Sequence, residues 1–138
     1  MNISVFDSSN YLKGLLLLIK KDKKVTEEEH KLMTHIGKTL GFEKKFIENA
    51  ISEILDNRYI NQTPPVFSTK EIAEKFLKDG LVIAAADSEI HPKEEEWLCS
   101  VASRNNIEEE WLFNEKNNIL LNERHTDRLE VDNLKVLY

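Results

Sequence analysis

The chain predicts an all-α fold, a compact bundle of about six to seven helices built from two pseudo-symmetric repeats. Three observations carry this. Only four Gly and three Pro stand among 138 residues, and Glu, Lys and Leu are abundant, which favours helix. Apolar residues recur at helical spacing, most clearly Phe46, Ile47, Ala50, Ile51, Ile54 and Leu55. The third observation is a duplication. Asp22, Val25 and Glu29 recur at the same spacing as Asp87, Ile90 and Glu94. One constant offset also aligns Tyr11 and Leu12 with Phe76 and Leu77, Leu32 and Met33 with Trp97 and Leu98, and Phe46 with Trp111.

The elements follow in order. A first helix is expected after the polar group Asp7-Ser8-Ser9-Asn10, any of which could cap it. Its apolar residues Tyr11, Leu12, Leu15, Leu16, Leu18 and Ile19 cover more than one face, so it should be central. Its end falls near Lys20 to Lys24, where basic side chains suit the helix dipole. A second helix opens at Thr26, carries Leu32, Met33, Ile36 and Leu40, and stops at Gly41. The Phe46–Leu55 stripe is the third. Periodicity then stops through Asn61-Gln62-Thr63-Pro64-Pro65, because consecutive prolines cannot occupy a helix interior.

Ser68 with Glu71 forms a capping-box pattern for the fourth helix, which carries Ile72, Ala73, Phe76, Leu77, Leu81 and Ile83. His91-Pro92 opens the fifth, with proline at the first helical position. Asn105-Asn106 ends it, and the sixth begins near Glu108 with Trp111 and Leu112. Leu120, Leu129, Leu134 and Leu137 suggest a further helix docked on the core. No stretch alternates well enough to predict a strand. The whole is expected as one domain: repeat one over 11–56, a linker over 57–67, repeat two over 68–115 and a C-terminal segment over 116–138.

Composition narrows the function. A formal charge of −6 argues against nucleic acid as main partner, because phosphate binding needs a basic face. Lys20, Lys21, Lys23 and Lys24 form a local basic cluster, read either as a solvated helix end or as a phosphate or lipid-headgroup site. The single cysteine, Cys99, excludes an internal disulfide and fits a reducing compartment. No signal-peptide pattern opens the chain, and the apolar run Leu15–Ile19 is far short of the ~20 residues a membrane span needs. A cytoplasmic location is expected.

The loop acids are the only chemistry that recurs. As helix caps they need no ligand: Thr26 with Glu29 is a capping box, and Glu94 holds the same place after His91. As ligands, Asp22 with Glu29, and Asp87 with Glu89 and Glu94, could hold a hard divalent cation through oxygen, calcium or manganese. His91 would add a nitrogen and move the preference toward manganese or zinc. The second loop is the better candidate, since Lys23 and Lys24 crowd the first with positive charge. Neither loop is an EF-hand, because the twelfth position from the aspartate is Met33 or Leu98. Glu27 and His30 make a single Glu-x-x-His pair, too few for a di-iron bundle. With no HExxH, paired CxxC, phosphate loop or nucleophile constellation, no catalytic residue is assigned and an enzyme is not expected.

The two patterns Asp22-Lys23-Lys24-Val25-Thr26-Glu27-Glu28-Glu29 and Asp87-Ser88-Glu89-Ile90-His91-Pro92-Lys93-Glu94, with the tail Ile36-Gly37-Lys38-Thr39-Leu40-Gly41-Phe42, resemble the tellurite-resistance protein TerB and the wider TerB-like domains. The resemblance covers roughly Tyr11 to Leu112. It implies a bundle of about seven helices with internal pseudo-two-fold symmetry and a cytoplasmic role in stress or metal resistance. It also implies that the clustered acids bind divalent metal. Members often carry glycine directly after the motif aspartate, where this chain has Lys23 and Ser88.

The competing expectation is a protein-interaction module whose acids are only caps. Tyr59, Ile60, Val66 and Phe67 lie in or beside the linker, and the C-terminal segment could dock or dimerise. Partners under that reading are other proteins or a second copy.

Overall fold

The computed structural model describes residues 1–21, 25–56, 61–86, 89–121 and 129–137. Among these, six α-helices dominate: α1 (Val5–Lys20), α2 (Glu27–Thr39), α3 (Lys44–Asp56), α4 (Lys70–Ala84), α5 (Pro92–Arg104) and α6 (Glu109–Leu121). The all-α class predicted from composition and period is the one observed. The interval from the start of α2 to that of α5 equals the interval from α3 to α6, and each pair has the same length. The offset seen between the loop acids therefore also spaces the helices.

The chain ends correct two expectations. Asn2–Ser4 (β1) and Lys135–Leu137 (β2) pair as a two-stranded parallel sheet, with Ile3 opposite Val136. Between α6 and β2 no further α-helix occurs among the described residues; Glu130–Asn133 is a single 3₁₀ turn. The reason lies in spacing. Leu129, Val131 and Leu134 are the buried residues, and the first two, standing two apart, would fall on opposite sides of an α-helix with a 3.6-residue period.

Helix α1 is the hub. Tyr11, Leu12 and every residue from Leu15 to Ile19 are buried, so it meets neighbours on all sides. It packs against α2, α3, α4 and α5. It starts earlier than expected, with Ser4 as cap, its hydroxyl accepting from the Asp7 N–H at 3.1 Å. Asp7 and Ser8, expected before the helix, are buried in its first turn. Asp7 instead accepts from the Ser68 N–H at 3.0 Å and from the Ser68 hydroxyl, tying the first helix to the chain before α4. That contact removes Ser68 from the expected capping box. Thr69 caps α4, accepting from the Ile72 N–H at 3.2 Å.

Two glycines are required by geometry. Gly41, at φ 94°, ends the turn after α2 in the left-handed region, as expected of a helix stop. At Gly37 a Cβ would lie 2.5 Å from Ile47 Cδ1, so α2 and α3 approach only because it is absent. On α3 the buried residues are Ile47, Ile51 and Ile54. Phe46, expected in that stripe, is exposed and stacks on Phe42 with ring centres 5.5 Å apart.

Asn105 holds the end of the linker. Asn105, the cap that ends α5, accepts from the Phe67 N–H at 2.8 Å. Its amide donates to the carbonyls of Pro65 at 2.9 Å and Val101 at 2.8 Å. Phe67 is thereby seated in the core beside Tyr11 and Phe76. Val66 is exposed; Tyr59 and Ile60 lie outside the described residues.

Candidate functional site: two acidic helix junctions and a buried carboxylate

The two junctions are built on one plan. At the first, the Thr26 hydroxyl accepts from the Glu29 N–H at 3.1 Å, and Glu29 Oε1 accepts from the Thr26 N–H at 3.0 Å. At the second, Glu94 Oε1 accepts from the His91 N–H at 3.2 Å. The His91 ring replaces the threonine hydroxyl: its Nδ1 accepts from the Lys93 N–H at 3.1 Å. Pro92 follows at the first helical position, where its missing N–H costs nothing. The glutamate sits at the same place in both frames because only the third residue of the helix can reach back to the cap.

Both glutamates are unusually enclosed. Glu29 is 3% exposed and Glu94 is 2% exposed, whereas Glu27 and Glu28 beside the first and Glu89 ahead of the second are exposed. The structure thus brings Glu94 and His91 together and leaves Glu89 at the surface. Asp22 and Asp87, the motif aspartates, lie outside the described residues, as do Lys23 and Lys24. Among the described residues, no three His, Cys, Asp or Glu side chains come together as a metal-binding group.

Beside the second junction, Lys21, Lys93, Glu96, Trp97 and Ser100 line an open cleft of about 260 Å³. Lys21 lies over the Trp97 ring at 5.0 Å, and Trp97 Nε1 donates to the Gly14 carbonyl at 3.2 Å. Burial lowers the Lys21 pKa against the opposing pull of Glu96. Lys20, of the same basic cluster, donates to the Ile54 carbonyl at 2.6 Å and so closes the end of α1 on α3. Cys99 is half-buried rather than fully buried, and burial pushes its thiol pKa up, the direction opposite to nucleophilic activation.

A third carboxylate escaped the sequence reading. Asp79, on α4, is fully buried. It accepts from the Tyr11 hydroxyl at 2.6 Å, from the Glu130 N–H at 2.6 Å and from the Val131 N–H at 3.0 Å. Burial raises its pKa to about 7, against the opposing pull of the Tyr11 and backbone hydrogen bonds. Burial, with Asp79 as the next cause, raises Tyr11 well above the usual phenol range. The available signal was one acid between Leu77 and Leu81 on a helix whose inward residues are otherwise apolar.

Fold and site define an all-α bundle with two capped acidic junctions. No protein-family model, no curated protein and no solved structure matches the chain. Among the described residues, no helix is long and apolar enough to cross a membrane.

Proposed function

We propose that this chain is a non-catalytic, cytoplasmic TerB-like domain with a stress- or tellurite-resistance-type role. Its second acidic junction would hold a divalent cation through Asp87, Glu89 and Glu94, with Asp22 and Glu29 as the weaker counterpart. The observation that supports this is the burial of Glu94 and Glu29 at equivalent places. A capping glutamate gains its stability at the surface and need not be enclosed. A carboxylate held inside the fold, beside a loop that carries a further aspartate, is what an all-oxygen site requires. The His91 ring spends Nδ1 on its cap, so ligation by it would go through Nε2 and favour manganese or zinc over calcium.

The test is thermal unfolding of metal-stripped protein titrated with calcium, manganese and zinc. Binding linked to folding raises the melting temperature of wild type, by about 2.7 kcal/mol of stabilisation at a hundredfold excess over Kd. Asp87→Asn should abolish the rise. A flat response in wild type would sink the metal reading.

One observation favours a second reading, an interaction module whose acids are only caps. Phe6 at 70% and Leu121 at 84% exposure are large apolar side chains in contact with water, and both capping boxes are complete. Other proteins or a second copy would be the partners.

A further inference from the structure

The segment from Leu129 to Leu137 lies against the bundle as a peptide lies in a receptor. It packs on α4 and α2 and adds β2 to β1. Three apolar side chains, Leu129, Val131 and Leu134, are buried. Between them the acids meet basic side chains. Glu130 meets Lys75 at 3.2 Å and Lys78 at 3.7 Å, both on α4; Asp132 meets His35 Nε2 on α2 at 2.7 Å. The backbone is recognised too. Two consecutive N–H groups, of Glu130 and Val131, are captured by the Asp79 carboxylate, and the Lys135 N–H donates to the Met1 carbonyl at 2.8 Å. Register, charge and apolar spacing are all read, which is how strand-addition grooves achieve affinity and specificity together.

The helices that form the groove also pack on one another, independently of the segment. Its floor is α2 and α4, which pack on each other and on α1 directly. When the segment leaves, Asp79 gains water in place of the two N–H groups, so its carboxylate is not stranded. The same contacts can be made by the same residues from another molecule, because nothing in them requires the segment to be covalently continuous with its groove.

We propose that residues 129–137 are an exchangeable intramolecular ligand, and that the groove of α2, α4 and β1 accepts this segment in trans from a second copy of the chain. The occupant is specified by its chemistry: a 3₁₀ turn over 130–133 with apolar residues at 129, 131 and 134 and acids at 130 and 132, followed by a short strand at 135–137. This does not depend on the metal reading.

The test uses full-length protein and a fluorescent peptide with the sequence of residues 129–137. In wild type the tethered segment competes at an effective concentration on the order of millimolar and shields the groove. Val131→Asp disables the tethered copy and leaves the groove intact. The peptide should bind this variant saturably and about tenfold or more tighter than wild type. Adding Lys75→Glu and Lys78→Glu should remove the binding, and a peptide carrying the Val131→Asp change should be inert. Equal binding to variant and wild type, or none to a variant with wild-type circular dichroism, overturns the proposal. If the variant does not fold, hydrogen exchange on wild type decides. Amides of Glu130 and Val131 should then open independently and exchange at least about tenfold faster than those of Leu17 and Leu18. Exchange of both sets only through global unfolding overturns it.

Discussion

The offset that aligns the acidic junctions also places Gly14 on α1 opposite Asp79 on α4, and the two positions have opposite chemistry. Gly14 offers no side chain: a Cβ there would lie 2.8 Å from the Phe76 ring, and its carbonyl takes the Trp97 indole N–H. Asp79 offers a charge and collects three donors. Neighbouring positions share their character, for Tyr11 and Phe76, at the same offset, are both fully buried and meet edge-on with ring centres 5.4 Å apart. The capping glutamates match as well. Two helices at the same offset can therefore match in core and caps while one inward position is a close contact in one and an anchor in the other.

The largest expected effect tests the anchor. Asp79→Ala leaves the Tyr11 hydroxyl and two backbone N–H groups without their acceptor and should cost about 3 kcal/mol or more in denaturant unfolding. A loss under about 1 kcal/mol would show that the carboxylate is not what holds the C-terminal segment. Gly14→Ala should come next, at about 1–3 kcal/mol, because the Phe76 ring sits in a filled core and has little room to yield. If the two costs reverse, the close contact rather than the anchor is the stricter constraint.

The comparison also has a pH signature. The Asp79 pKa is raised in the folded state, so its proton is bound more tightly there than in the unfolded chain. The contribution is fully present below the ordinary carboxylate range and is lost as pH rises through about 7. Wild type measured against Asp79→Asn should therefore lose relative stability between pH 5 and pH 8. Paired melts at those two values check it, and an unchanged difference would mean that Asp79 titrates normally. The junctions should show smaller and equal effects: Glu29→Ala and Glu94→Ala each cost about 1 kcal/mol through the lost cap contact. A markedly larger loss at Glu94 in the presence of manganese would separate ligation from capping. Smallest of all, Phe6→Ser should stay within about 0.5 kcal/mol, as an exposed side chain outside any network does.

Helices α2 and α5 were legible because their start signals are local. Thr26 with Glu29, and Pro92 after His91, determine their caps within four residues of chain, and Gly41 and Asn106, both at positive φ, stop α2 and α5 in the same local way. The stripe of α3 was legible for Ile47, Ile51 and Ile54 but not for Phe46, whose outward direction depends on Phe42 offering a ring to stack on. Asp7, Ser8 and Ser68 were misread for one shared reason. A short polar side chain near a helix start is a cap by default; the approach of two distant segments instead links Asp7 to Ser68, while the Ser8 hydroxyl turns back to the Ser4 carbonyl.

By itself, the sequence determined the helical class, the order and spacing of the six helices and the two glutamates that close the capping boxes. Each of these follows from side chains within one or two turns of one another. Tertiary structure alone decided that Asp79 is buried, that Asn105 holds the linker and that residues 129–137 run as a turn and strand rather than a helix. Those outcomes depend on which donors lie across the core from an acceptor, and β2 in particular exists only because β1, at the far end of the chain, supplies its edge.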